Sequence, residues 1–237
     1  KLNALYVWAR GMELISGEKK QAKLTKLGRI IREYDAYLTE YGSWIVLIHN
    51  LSVHPPHNPA SFYWFFNEFD RLEFSRDELK RQFIHSPMFD HISLITKDKG
   101  LTGLIAALRS TVIAEELRLF EEVEKGKFRK GYPPRNLFHP LIFAYCIVDW
   151  ARRNGEKDVI QIEDINRSSG MPGKVFNLPE RFVNDKLDEV DLKYGKKILD
   201  VERFSGLNRV RIKISDVHKL LTMYYHESSG KMSFDEP

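Results

Sequence analysis

The sequence predicts a mainly α protein with small β-hairpins. Three observations lead there. Apolar residues recur at helical spacing over most of the chain. Strict alternation is confined to short runs, chiefly residues 197–203 and 207–214 around Phe204-Ser205-Gly206. From Pro140 to Ile214 the signals run helix, strand, helix, turn, helix, hairpin. That order is the one of a winged helix, so a winged-helix-type unit is expected at the C-terminal end.

The elements follow in order. Residues 2–15 place Leu2, Leu5, Val7, Trp8, Met12, Leu14 and Ile15 at broadly helical intervals. A basic segment follows, with Gly17, Lys19, Lys20 and Lys23, and Leu24-Thr25-Lys26-Leu27-Gly28 opens a second helix. Helix, basic hairpin and helix form the back half of a winged helix, whose front half would precede Lys1. Residues 1–34 are therefore assigned as the end of an N-terminal winged-helix-like unit. Residues 35–51 become apolar at Trp44-Ile45-Val46-Leu47-Ile48 and predict a buried helix. Pro55, Pro56 and Pro59 end it. Residues 61–69 (SFYWFFNEF) are dominated by aromatic side chains, and Ser75-Arg76-Asp77-Glu78 is a capping box that predicts a helix to about Ile84.

Residues 101–124 predict another helical stretch. Residues 125–135 hold Lys125, Lys127, Arg129, Lys130 and Arg135 with no acid, plus Gly126, Gly131, Pro133 and Pro134. This basic loop bounds a helical middle region, 35–130. A C-terminal winged-helix-like domain, 136–226, and a tail, 227–237, complete the division. Within that domain Pro140 opens an apolar helix to Arg153, residues 159–162 form a strand, 163–168 a short helix and 176–190 a longer one.

Composition bounds the function. Hydrophobic residues make up 43% of the 237, enough for a packed core. The 37 Lys and Arg against 33 Asp and Glu leave a net +4, which permits nucleic-acid binding without requiring it. The single cysteine, Cys146, excludes an intramolecular disulfide and a Cys-based zinc site, and sits in an apolar run as a buried small residue. No apolar run approaches the roughly 18 residues needed to span a bilayer, so no membrane is expected. The absence of a secretory pattern and of paired cysteines points to the cytoplasm.

The run Trp64-Phe65-Phe66-Asn67-Glu68-Phe69, followed by Phe74 and Ser75-Arg76-Asp77-Glu78-Leu79, resembles the central motif of the SspB-like components of bacterial DNA phosphorothioation systems. Gly170-Met171-Pro172-Gly173-Lys174-Val175-Phe176-Asn177-Leu178 is similar to that family's turn before its last long helix. Phe204-Ser205-Gly206-Leu207-Asn208-Arg209-Val210 is similar to its final hairpin, and residues 2–15 with Leu24-Thr25-Lys26-Leu27-Gly28 resemble its N-terminal helix-turn-helix. Residues 85–130 depart from the family pattern. The resemblance implies work beside a cysteine desulfurase, a sulfurtransferase and an ATPase that replace a non-bridging phosphate oxygen of DNA with sulfur. It also implies a link to phage defence and an association with DNA nicking.

The C-terminal hairpin is the sharpest chemical feature. Lys193, Lys196, Lys197, Arg203, Arg209, Arg211 and Lys213 face only Asp200 and Glu202 within its span. Alternation puts Arg209, Arg211 and Lys213 on one strand face, where they would meet phosphate, and Val210, Ile212 and Ile214 on the other. The alternative is a solvated face. In the turn before the last long helix, Gly170, Gly173 and Lys174 offer backbone amides and a charge to a phosphate, or simply a tight turn. That helix carries Arg181 and Asn184, residue types suited to base edges, among several acids.

Nicking would draw on carboxylates holding Mg2+ or Mn2+, for which Asn67, Glu68 and Asp70 are candidates by type. His85 and His91, and the pair His54 and His57, are further candidates for metal or proton transfer. Tyr63, Trp64, Phe65 and Phe66 offer faces to unpaired bases, or core packing. Three functions stay open: a metal-dependent nicking subunit, a non-catalytic adaptor that brings the sulfurtransferase and ATPase to DNA, and a winged-helix transcription regulator. A homodimer is compatible with each.

Overall fold

Thr25 decides how the N-terminal segment folds. In the computed structural model, which describes residues 2–53, 60–155, 157–204 and 206–229, it caps helix α2 (Lys26–Tyr34) by accepting the Gly28 N–H at 2.9 Å. Before it come helix α1 (Leu2–Gly11) and a short hairpin of β1 (Ile15–Ser16) and β2 (Lys23–Leu24), with Ile15 opposite Leu24. A Cβ on Gly28 would lie 2.1 Å from the Leu14 carbonyl oxygen, so only glycine lets α2 approach the start of the hairpin.

Helix α3 (Tyr41–Val53) starts six residues later than its sequence predicts. The cause is the buried carboxylate of Asp35, which accepts from the Thr39 and Glu40 N–H groups and the Ser43 hydroxyl and so ties residues 35–40 into a turn. A short α4 (Ala60–Tyr63) runs into a π-helix (Trp64–Glu68). Phe62, Trp64, Phe65, Phe66 and Phe69 are all buried. Trp64 meets Phe83 edge-on at 5.0 Å and Phe69 meets Phe74 at 4.8 Å, so the aromatic run is core rather than a base-stacking platform. Strand β3 (Glu73–Ser75) leads to α5 (Arg76–Ile84), where both halves of the predicted capping box are present.

The end of the next predicted helix is a strand instead. After α6 (Leu94–Leu108) and a second π-helix (Val112–Glu116), the chain forms a hairpin of β4 (Phe120–Glu124) and β5 (Lys127–Lys130). The expected basic loop is thus partly sheet, in strand order β3-β5-β4. Phe120 and Phe128 stack inward at 5.0 Å, while Glu121 pairs with Arg129 and Glu124 with Lys127 outside.

Helix α7 (Pro140–Arg153) is buried along most of its length and packs against α3, α10 and α11. Then follow β6 (Val159–Gln161), α8 (Ile162–Arg167), the short α9 (Pro172–Val175), α10 (Glu180–Tyr194), β7 (Leu199–Glu202), β8 (Arg209–Ile212) and α11 (Val217–Ser228). Asn177 adopts a left-handed φ of 50°, which delays α10 to Glu180. Strand β8 lies between β6 and β7. Helix α11 buries Val217, Leu220, Leu221, Tyr224 and Tyr225, a spacing the sequence reading passed over. The buried apolar residues form one connected cluster. The fold is mainly α with small antiparallel sheets, as the sequence predicts. Among the described residues, no helix is long and apolar enough to cross a membrane.

A candidate nucleic-acid interface

The C-terminal hairpin has the predicted alternation. Val210 is fully buried, opposite Ile160 on one side and Val201 on the other. The register also places Glu202 opposite Arg209 and Asp200 opposite Arg211. Glu202 accepts from Arg209 Nε at 2.5 Å and from Arg211 Nε at 3.3 Å. Lys196 and Lys213 lie 3.2 and 3.9 Å from Asp200, Arg203 binds Asp188 and Asn184, and Lys193 reaches Glu227 at 2.5 Å. Of the hairpin's basic residues, Lys197 alone has no carboxylate partner among the described residues. The face expected to meet phosphate is therefore largely neutralised from within.

Helix α10 places its residues in three settings. Arg181 is exposed. Asn184 donates to the Glu180 carbonyl and accepts from Arg203. Lys186 is buried and pairs with Glu189 at 2.6 Å. Acids outnumber bases on this helix, with Glu180, Asp185, Asp188, Glu189 and Asp191 against Arg181, Lys186 and Lys193. That balance disfavours a close approach to a phosphate backbone.

The turn before α10 and the aromatic run meet in space. Asn67 is 4% exposed and fully engaged: its amide donates to the Ser52 and Tyr63 carbonyls and its oxygen accepts the Gly170 N–H at 2.7 Å. Asp70 pairs with Lys174 at 2.5 Å, and both line a small cleft with Lys130. Burial, with the nearby charge of Lys174, pushes the Lys130 pKa down to about 7, although its amine donates to the Phe65 and Phe69 carbonyls. Glu68 is exposed. A Cβ on Gly173 would lie 2.6 Å from Asn166 backbone atoms, and Pro172 has no N–H. This turn is built for close packing, not for cradling a phosphate.

Asn67 is thus spent on backbone groups and Asp70 on Lys174, while Glu68 faces solvent. His85 and His91 are exposed, and His54 and His57 lie outside the described residues. Among the described residues, no group of three or more His, Cys, Asp or Glu side chains is placed to hold a metal ion.

Sequence reasoning missed a buried ionic chain. Asp149 is fully buried, accepts from Arg153 Nε at 2.6 Å and Arg152 Nη2 at 2.8 Å, and lies 3.2 Å from His49 Nε2. Arg153 in turn makes two parallel 2.8 Å hydrogen bonds to Glu13, which holds a left-handed φ of 60°. Burial alone would raise the Asp149 pKa. The His49 hydrogen bond and the Arg153 charge outweigh it and hold the carboxyl well below its ordinary range. Arg152 and Glu13 also line a cleft of about 390 Å3 with Arg10, Lys26, Tyr145 and His218. Burial and the charge of Lys26 lower the His218 pKa.

A family model described as a protein of unknown function (DUF4007) matches residues 2–98 and 109–225. A magnesium ion-bound SspB crystal structure matches with a TM-score of 0.78 at 18% identity, covering 98% of this chain and 77% of that chain. Another SspB crystal structure matches with a TM-score of 0.73 at 20% identity, covering 96% and 75%. The search of curated proteins finds no match. The chain therefore shares the fold of these SspB structures over nearly its whole length.

Proposed function

The chain belongs to the DUF4007 family of proteins of unknown function, and from that premise we propose that it is a DNA-binding component of a bacterial phosphorothioate-modification system. The observation that carries this reading is the near-complete match in fold to SspB. Its place would be in the cytoplasm, bringing the sulfurtransferase and ATPase of the same system to DNA, as a monomer or homodimer. The order of β6, α8, α10 and the β7–β8 hairpin after α7, with β8 central in the sheet, supports a winged-helix reading of residues 136–226. The helix–hairpin–helix of residues 2–34 supports the remnant of a second.

Binding would rest on charge. A protein that displaces counterions from phosphates gains affinity without reading sequence, and that affinity falls with salt. Lys20, Lys23, Arg181 and Lys197 have no carboxylate partner among the described residues and are free to act this way.

A second reading, DNA nicking with Mg2+ or Mn2+, is favoured by the magnesium ion in the related SspB structure. The candidates Asn67, Glu68 and Asp70 do not fit a ligand set, because Asn67 is consumed by backbone hydrogen bonds and Asp70 by Lys174. Supercoiled plasmid incubated with the purified chain, with Mg2+, Mn2+ or EDTA, separates the readings. The binding reading predicts retarded but still supercoiled plasmid under all three conditions. Relaxed circles that require the metal would establish nicking, and plasmid that migrates unretarded at low salt would overturn DNA binding.

A further inference from the structure

The molecule's charge is not distributed as its sequence suggests. The C-terminal hairpin has the greater count of basic residues, yet Glu202, Asp200, Asp188 and Glu227 engage six of them. The N-terminal hairpin is the opposite case. Between Arg10 and Arg29 lie Arg10, Lys19, Lys20, Lys23, Lys26 and Arg29, against Glu13 and Glu18. Glu13 is committed to Arg153. Lys19 bonds the Asn3 side chain and Arg29 the Leu24 carbonyl, both neutral partners, while Lys20 and Lys23 have no carboxylate partner among the described residues. All of these lysines and Arg29 are exposed.

This hairpin also forms one wall of the 390 Å3 cleft, through Ile15, Ser16 and Gly17. Helix α7 supplies Arg152 from another side, and α1 supplies Arg10. The Arg10 guanidinium has a single hydrogen-bond partner among the described residues, the neutral Tyr6 hydroxyl at 3.2 Å. Arg152 spends one donor on Asp149, whose charge Arg153 already shares, and its side chain stays 48% exposed. A guanidinium carries five N–H donors, so both arginines retain most of theirs. Lys26 is held by Asp216 at 3.1 Å at the surface, with both side chains about half exposed. The cleft therefore presents two arginines with open donors and a lysine, against one carboxylate, Glu13, that Arg153 already holds, beside a hairpin rich in lysine.

Resting on the DNA-binding reading, we propose that the nucleic-acid contact is this N-terminal hairpin and cleft, with one backbone phosphodiester seated against Arg10, Arg152 and Lys26. The Asp149–Arg153–Glu13 chain holds the site's walls together: it fixes α7 to the segment between α1 and β1. Planar guanidinium groups suit the paired non-bridging oxygens of such a phosphate. Lys20 and Lys23 extend the contact to neighbouring phosphates of the same strand as mobile point charges. The C-terminal hairpin, with its arginines already paired, contributes little.

The test is fluorescence anisotropy of a labelled 20-base-pair duplex with the full chain between 50 and 200 mM salt. Lys20→Gln with Lys23→Gln removes surface charges that hold no ion pair, so folding is preserved. Arg10→Gln with Arg152→Gln opens the cleft, and its fold is checked by circular dichroism. Each double variant is expected to weaken binding about tenfold at low salt and to flatten the log–log salt slope by about 1 to 2, as for lost phosphate contacts. Arg209→Gln with Arg211→Gln is expected to bind within about twofold of the parent. If the parent binds and the lysine variant matches it while the Arg209/Arg211 variant loses affinity, this assignment is overturned and DNA binding stands. If the parent binds no duplex at 50 mM salt, both fall.

Discussion

His139 shows how one side chain can look ionic and be neutral. Its Nδ1 accepts the Leu141 N–H at 3.2 Å and caps α7, while its Nε2 lies 3.2 Å from Glu227. The neutral tautomer with a proton on Nε2 satisfies both contacts, and a second proton on Nδ1 would face the Leu141 N–H. Burial lowers its pKa to about 4, against the pull of Glu227 and with the push of Lys193 and Lys186. The folded state thus resists a proton that the unfolded chain accepts near the ordinary value of 6.5. The stability His139 provides is full above that value and is lost progressively as pH falls toward the lowered folded-state value. Thermal unfolding of the parent and of His139→Asn across this range checks it. The parent's midpoint should drop more than the variant's, and parallel curves would contradict the assignment. None of this was legible in sequence, because Glu227 lies far along the chain and only α11, an unread helix, delivers it. The same holds for Asp149, whose partner His49 is 100 positions away and whose partner Arg153 is tied to Glu13, 140 positions from it.

Elements were legible where a local rule fixes them. The capping box at Ser75, Pro140 at the start of α7 and the alternation around Val210 each predict what the structure contains. The β4–β5 hairpin was missed because its outward residues are nearly all Glu, Lys and Arg, leaving Phe120 and Phe128 as the only strong inward signals. The wing's self-neutralisation had a sequence signal. In a tight hairpin, Asp200 and Glu202 fall opposite Arg211 and Arg209, so the acids should have been counted against the bases residue by residue. Asp188 carried no such signal, since only the packing of α10 beside β7 brings it to Arg203. At the N-terminal hairpin, Gly28 is the element's weak point. Gly28→Ala drives a methyl group into the Leu14 carbonyl, and an overpacked contact of this kind costs about 1 to 3 kcal/mol. Hydrogen exchange should show faster exchange across residues 14–28 in the variant. Unchanged protection there would mean that α2 and the hairpin do not depend on this contact.

At the scale of the whole molecule, one apolar cluster joins the N-terminal unit, the aromatic middle and the C-terminal unit around α7. That continuity places cations from α1, α2 and α7 around one cleft, although the sequence keeps Arg10 and Arg152 far apart. A formal net charge of only +4 is still compatible with a polyanion partner, because charge is unevenly paired: the acids around the C-terminal hairpin are spent on its bases, whereas Lys20 and Lys23 of the N-terminal hairpin have no carboxylate partner among the described residues. On the proposed reading this surface grips DNA through its phosphates. The direct measurement is the affinity of the full chain for duplex DNA of mixed sequence as salt rises from 50 to 200 mM. Binding is expected at low salt, weakening with a log–log slope of about −3 or steeper that is nearly the same for unrelated sequences. Affinity that ignores salt, or no complex at 50 mM, would contradict it.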